Sequence, residues 1–159
     1  MKKSTILILV VVYVIAFFIV GLMGMQLRAH YEVNYVNEIR ITPFEESGLV
    51  ERAPVSTQKY GKEDDPEHLR IVHEYSYKVK YTSGLVLKFN VEVIPDNSTY
   101  RDFKFSYPDN SPCTFTKNED STIFVTEIKK YGGFKTELQF TVEDNHMNGV
   151  KSTVKVIVS

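Results

Sequence analysis

The stretch LKFNVEVIPDNSTYRDFKFSYPDNS, residues 87–111, alternates apolar and polar, breaks at a proline, turns, and alternates again. Leu87, Phe89, Val91 and Val93 share one parity, with Lys88, Asn90 and Glu92 on the other. Successive strand side chains point to opposite faces, so the pattern describes a strand with one dry and one wet face, as in an antiparallel sheet packed on one side. Pro95 ends it, because proline cannot donate to the ladder. Asp96, Asn97 and Ser98 turn the chain, and Phe103 and Phe105 resume a shared apolar face. The stretch reads as one corner of a sandwich rather than the wall of a catalytic pocket.

The same period recurs outward from this corner. In IVHEYSYKVKY (71–81), Ile71, His73, Tyr75, Tyr77, Val79 and Tyr81 oppose Glu74, Ser76, Lys78 and Lys80, and Thr82-Ser83-Gly84 is a turn. VNYVNEIRI (33–41) puts Val33, Tyr35, Asn37, Ile39 and Ile41 on one parity. CTFT (113–116) alternates, and TIFVTEI (122–128) is strand-like without a clear facing. KTELQFTV (135–142) presents Leu138, Phe140 and Val142, and the closing VKSTVKVIVS (150–159) presents Val154, Val156 and Val158. Tyr131-Gly132-Gly133 and EDNHMNG (143–149) read as turns. Segment 42–69 holds three prolines, two glycines and many charges with no sustained period, and reads as a long insertion loop with one short strand near Leu49 and Val50. Loops this long inside a compact domain are uncommon and often functional.

About seven or eight short strands with turns roughly every ten residues, and no amphipathic helix, predict an all-β, immunoglobulin-like antiparallel β-sandwich over 33–159. Its expected core includes Leu87, Phe89, Val91, Phe103, Phe105, Leu138, Phe140, Val154 and Val156. The tryptophan and the cysteine pair of antibody domains are absent.

The chain opens differently. From Ile6 to Met25, twenty residues carry no charge, and at ~1.5 Å per residue they cover about 30 Å, the thickness of a bilayer's hydrocarbon. Secretory apolar regions are shorter and end at small residues, whereas the exit here reads Gly21-Leu22-Met23-Gly24-Met25-Gln26. The reading is an uncleaved signal anchor over 6–26, with Ile6, Val14, Phe18 and Met25 in the lipid bilayer; a long cleaved signal peptide is the alternative. Lys2 and Lys3 precede the segment and only Arg28 follows closely, which favours a cytoplasmic N-terminus over 1–5 and an extracytoplasmic domain behind a short stalk, 27–32. About 130 remaining residues make one domain, long enough for a core without a metal or disulfide. Cys113 is the only cysteine, and a net charge of −1 without a basic run carries no nucleic-acid signature.

VEVIPDNSTYRDFKFSYPDNS resembles the bacterial Ig-like domain of group 2, found in invasin- and intimin-like surface proteins. Pro95, Asn97, Thr99, Phe103, Phe105, Ser106 and Asp109 stand at the matching places, with Phe105 where that family carries tryptophan. VTEIKKYGGFKTELQFTVED is similar to the family's later segment, and STVKVIVS to its last strand. The resemblance covers 71–159, with Ile39 to Pro43 as the opening strand; segment 42–69 stands outside the pattern. It implies a spacer or adhesive module on a cell surface and brings no catalytic residues with it.

The candidates for chemistry are weak. His30, His68, His73 and His146 show no zinc-like spacing. His68 and His73 with Asp64, Asp65 and Glu67 could hold a metal, against the plainer reading of a solvated loop. The EDN cluster at 143–145 lacks calcium-loop spacing. Cys113 with a histidine could be a nucleophile pair, but on an alternating strand it reads as a small buried hydrophobe. Asn97-Ser98-Thr99 is a formal glycosylation sequon. Tyr75, Tyr77 and Tyr81 form a stripe that packs a sheet or, on an edge, contacts a partner.

Expected, then, are no catalysis, no cofactor, no metal, no nucleic acid and no evident small-molecule substrate. Eight extended residues from Met25 to Val33 reach at most about 28 Å, too short to cross a thick wall. That favours a structural or accessory subunit touching other membrane or envelope proteins. The contact would come from the insertion, at Phe44, Leu49, Val50 and Tyr60, or from an edge strand. The alternative is a cell-surface adhesion or carbohydrate-binding module.

Overall fold

Uncharged residues without Pro, followed by segments of period two, dictate one helix and then strands. A computed structural model describes residues 3–30, 33–65, 68–130, 133–146 and 149–159. The chain divides into two compact units, Met1–Val33 and Asn34–Ser159. The first is helix α1, Lys3–His30. Within it Ser4–Gly24 is long and apolar enough to cross a membrane, and none of that span is buried against protein. Ile6, Val14 and Phe18 are exposed on it; the side chain of Met25 lies outside the described set. The helix begins before the expected tail ends and runs through Leu27–His30, where a stalk was expected. The i→i−4 ladder needs no apolar side chain to continue, so the end of hydrophobicity does not mark the end of the helix. Stalk positions 31 and 32 and the Lys2 charge lie outside the described residues, as does Tyr131-Gly132 of one expected turn.

The second unit is one mixed sheet: β1 (Glu38–Pro43), β2 (Val50–Tyr60), β3 (Arg70–Val79), β4 (Leu87–Ile94), β5 (Phe103–Ser106), β6 (Thr114–Lys117), β7 (Thr122–Thr126), β8 (Thr136–Asp144) and β9 (Lys151–Val158). The order is β5-β8-β9-β3-β1-β4-β7-β6, with β2 on the other edge of β3. The sheet is not purely antiparallel as expected. β3 runs parallel to β9 from His73–Ser152 to Val79–Val158, and parallel to β1 at the single bridge Glu38–Ile71. That bridge joins two arms. The sheet curls until side chains of its end strands meet, Phe105 of β5 lying 6.1 Å from Phe115 of β6 between ring centroids.

Period two explains the interior. Leu87, Phe89, Val91, Phe103, Leu138, Phe140, Val154 and Val156 are buried, and Phe105 packs against them half-buried. Phe140 of β8 meets Phe89 of β4 edge-on at 5.1 Å and lies 5.6 and 5.9 Å from Phe105 and Phe115. Edge-to-face rings suit the aromatic quadrupole, and each large side chain buried contributes about 1.5–3 kcal/mol. Ile123 and Val125 give β7 the facing its sequence left unclear. The first strand starts at Glu38 rather than 33, and Val33 and Tyr35 are exposed ahead of it.

The largest departure from expectation is the 42–69 insertion. It contains a 3-10 turn, Glu45–Ser47, and then β2, eleven residues long and exposed throughout. No alternation announces β2 because neither of its faces is covered, so nothing selects apolar residues on either parity. Its backbone pairs with β3 from Val50–Lys78 to Tyr60–Arg70, with register shifts between Glu51 and Ala53 and between Ala53 and Ser56. Pro54 falls inside that irregular stretch, where a strand tolerates a missing N–H.

Candidate functional site: the β2 edge and the His73 cluster

His73 follows the apolar parity of β3, so the sheet turns its ring inward and obliges it to find partners there. It is 8% exposed. Its Nε2 lies 2.9 Å from Glu38 Oε1 on β1, and its Nδ1 lies 3.0 Å from Thr57 Oγ1 on β2. Arg40 Nε donates to the same Glu38 oxygen at 2.6 Å, and its Nη2 donates to the other at 3.3 Å. Burial pushes the Glu38 carboxyl up, but hydrogen bonds from Arg40 and His73 outweigh it, and the group lies below its ordinary range. An ionised carboxylate only accepts, so Nε2 carries a proton; in the neutral ring Nδ1 then accepts from the Thr57 hydroxyl. Next to it, Ile41 N–H donates to the Tyr75 hydroxyl at 3.2 Å, and burial raises the Tyr75 phenol. Burial likewise pushes Tyr77 up to about 12.

The chain Arg40–Glu38–His73–Thr57 therefore stitches β1, β3 and β2 together. It is the one place where a buried side chain reaches into the ladder of β2 with a hydrogen bond among the described residues. Hydroxyl, imidazole and carboxylate stand in the order that nucleophilic catalysis uses. The hydrogen bonds observed in the cluster run between strands, from β1 through β3 to β2.

Over this cluster, the outer face of β8, β9, β3 and β2 forms a shallow groove of about 240 Å³. Ser56, Gln58, Glu74, Gln139, Thr153 and Lys155 line it. Lys155 Nζ donates to Glu74 Oε1, which raises the lysine's pKa. The groove offers hydroxyl, amide and paired charged groups, with the His73 imidazole also among its lining residues.

The residues expected at a partner contact do not gather. Val50 and Tyr60 sit at the two ends of β2 and are both exposed, Phe44 is exposed beside the 3-10 turn, and Leu49 packs against the core. Cys113 is half-buried just before β6, and burial pushes its thiol up to about 11. His68 lies 3.0 Å from the Asp65 carboxylate on the surface, and Glu67 falls outside the described residues. His146 stacks on Tyr100 at 4.1 Å and lies 3.8 Å from Asp144; the side chain of His30 lies outside the described set. Among the described residues no three of His, Cys, Asp and Glu come together around a metal position. Asn97 is exposed, and the Thr99 hydroxyl of its sequon accepts from Asn34 N–H at 2.9 Å. Tyr75 and Tyr77 are buried and stacked at 6.3 Å, and Tyr81 is partly buried against the core.

Sequence reasoning missed Glu38, Arg40 and Thr57. The usable signal was His73 itself, since an imidazole on an apolar parity needs a polar partner from another strand. Which strand supplies it depends on the parallel β1–β3 bridge, a long-range pairing. No family model, no curated protein and no solved structure matches this chain.

Proposed function

We propose that this chain is a single-pass membrane protein with a cytoplasmic N-terminus, and that its outer domain acts without catalysis as a structural or accessory subunit of a membrane assembly. Other membrane or envelope proteins are its partners. The observation that carries this is β2: eleven exposed residues with one edge paired to β3 and the other unpaired among the described residues. Beyond the irregular stretch, Ser56–Tyr60 keeps one regular register and so can pair with an added strand. The span Ser4–Gly24 supports the anchor.

An immunoglobulin-like sandwich is the reading of the fold that goes with this. Strands β1-β4-β7-β6 follow the A-B-E-D order and β5-β8-β9 the C-F-G order of such domains. The β2–β3 hairpin is then inserted between the first two strands, with β3 parallel to the last. The resemblance of 71–159 to group 2 bacterial Ig-like domains agrees with that assignment.

Cross-linking the full chain in its native membrane, followed by affinity capture and mass spectrometry, tests the function. A small stoichiometric set of membrane proteins is expected. It should be lost on deleting 45–67 and also in the milder variant Val55→Asp with Tyr60→Ala, which changes only exposed side chains. Capture unchanged in both variants overturns the β2 contact.

The polar groove favours a second reading, a surface adhesion or carbohydrate-binding module. Retention of the full chain on wall glycan, sensitive to Gln139→Ala and with no protein cross-linked, would replace the first reading by this one.

A further inference from the structure

β4 buries Leu87 and Phe89 in the core, yet it has strand neighbours on both sides over only part of its length. It runs beside β1 as far as Ile94, but its pairing with β7 ends at Asn90–Thr122. There the other chain turns away: Ser121 takes a left-handed φ of 64°, and its N–H donates to the Asn118 carbonyl instead of to β4. Backbone groups of an antiparallel strand face its two neighbours in alternation. The Ile94 carbonyl accepts from Asn37 N–H on the β1 side, and Val91 N–H donates to the Ser121 carbonyl on the β7 side. By that alternation the Val91 carbonyl and both backbone groups of Val93 point away from β1, where no strand pairs with them among the described residues.

The uncovered edge is one wall of an open cleft of about 540 Å³. Glu92 lies on this stretch of β4, Asp96 and Arg101 follow the strand, and the β6–β7 turn contributes Glu119 and Asp120. Four carboxylates and one guanidinium line the cleft, which leaves an excess of negative charge. Arg40, across from Glu92 on β1, gives its hydrogen bonds to Glu38 and does not cancel that excess. Glu92 accepts from the Asn90 amide at 3.3 Å, and Asp120 accepts from Thr122 N–H at 3.4 Å. None of the four acids is held in an ion pair among the described residues.

We infer that this edge of β4 receives a short extended segment of a partner protein, one that carries lysine or arginine on alternate residues. The added strand pairs with Val93 through both its N–H and its C=O and extends the sheet where β7 leaves it. Glu92 is exposed while Val91 and Val93 are buried, so the wet face of β4 presents its carboxylate beside the added strand. Basic side chains on that face meet Glu92 and the acids of the neighbouring turns. Backbone pairing supplies the affinity and charge supplies the choice, because the same carboxylates repel an acidic strand. The contact is separate from the β2 edge and does not depend on the membrane anchor.

The probe is an acetylated and amidated hexapeptide of alternating threonine and lysine, added to the full isotope-labelled chain in dodecyl maltoside micelles. Hydrogen exchange at the Val93 amide is followed by NMR. It should slow about tenfold at a peptide concentration roughly ten times the Kd, since only unoccupied chain exchanges there. A peptide with glutamate in place of lysine should leave the exchange unchanged. So should the lysine peptide N-methylated at every amide, which keeps the charges and removes the N–H donors. Glu92→Gln combined with Glu119→Lys, both at exposed positions, should weaken binding by about tenfold or more while the amide signals of β8 and β9 stay in place. Equal protection by the glutamate or the N-methylated peptide overturns the proposal. A lysine peptide that binds without slowing Val93, or that fails to bind at millimolar concentration, overturns it as well. Protection of Val93 that rises with protein concentration alone also overturns it and assigns the edge to a second copy of the chain.

Discussion

His73 Nε2 on β3 lies 2.9 Å from Glu38 Oε1 on β1, and this contact sits at the single bridge that joins the two arms of the sheet. Both side chains are buried, Glu38 7% and His73 8% exposed. A carboxylate is held there because Arg40 and His73 together supply donors that replace the water it gave up.

Glu38→Gln keeps the shape and removes the charge. It leaves Arg40 without its counter-ion and one amide N–H aimed at donors, so it should destabilise the domain by about 1–3 kcal/mol. The urea midpoint at neutral pH should fall with an unchanged slope.

The same carboxylate predicts an acid sensitivity. Its folded-state pKa lies below the ordinary value, so its contribution is fully present above the unfolded-state pKa of about 4.3 and is lost as pH falls through the folded-state value. Urea midpoints measured from pH 7 down to about 3 should decline for the parent. The decline should be shallower in Glu38→Gln, and equal slopes for the two proteins would contradict the assignment.

Thr57→Val removes the hydroxyl that meets His73 while leaving a β-branched side chain. Loss of one hydrogen bond should cost about 1 kcal/mol. Because β2 buries no apolar surface of its own, the cost should appear as local opening. Hydrogen exchange should accelerate across Ser56–Tyr60 and stay unchanged in β8 and β9.

Phe140→Ala empties the contact point of Phe89, Phe105 and Phe115. Removing a fully buried phenyl costs about 3–5 kcal/mol, a large share of a domain stability of about 5–15 kcal/mol. The thermal midpoint should drop steeply, whereas Phe134→Ala should leave it within experimental error.

Cys113 should react slowly with a thiol reagent in the folded protein. With its thiol pushed up to about 11, the thiolate fraction at pH 7 is on the order of one in 10⁴. Reaction should speed up sharply once urea unfolds the domain. Rapid reaction without denaturant would show the thiol to be more accessible than its half-buried position allows.

Several features of this protein follow from the linear chain alone. An uncharged run without proline makes a helix long and apolar enough to cross a membrane, because nothing in it interrupts the local i→i−4 ladder. Alternation at 71–79, 87–93, 138–142 and 154–158 marks strands and their inward faces because a strand's side chains obey a period of two wherever one face is dry. Other features were settled only in three dimensions. β2 is a strand because the exposed edge of β3 offers it a ladder, and its sequence carries no trace of that because both its faces are wet. The parallel registers of β3 with β9 and β1, the burial of Glu38 and the Thr57–His73–Glu38 chain all depend on pairings between residues far apart in sequence. Local periodicity reports which face of a strand is dry, whereas the identity of its neighbour is decided by the closure of the whole sheet.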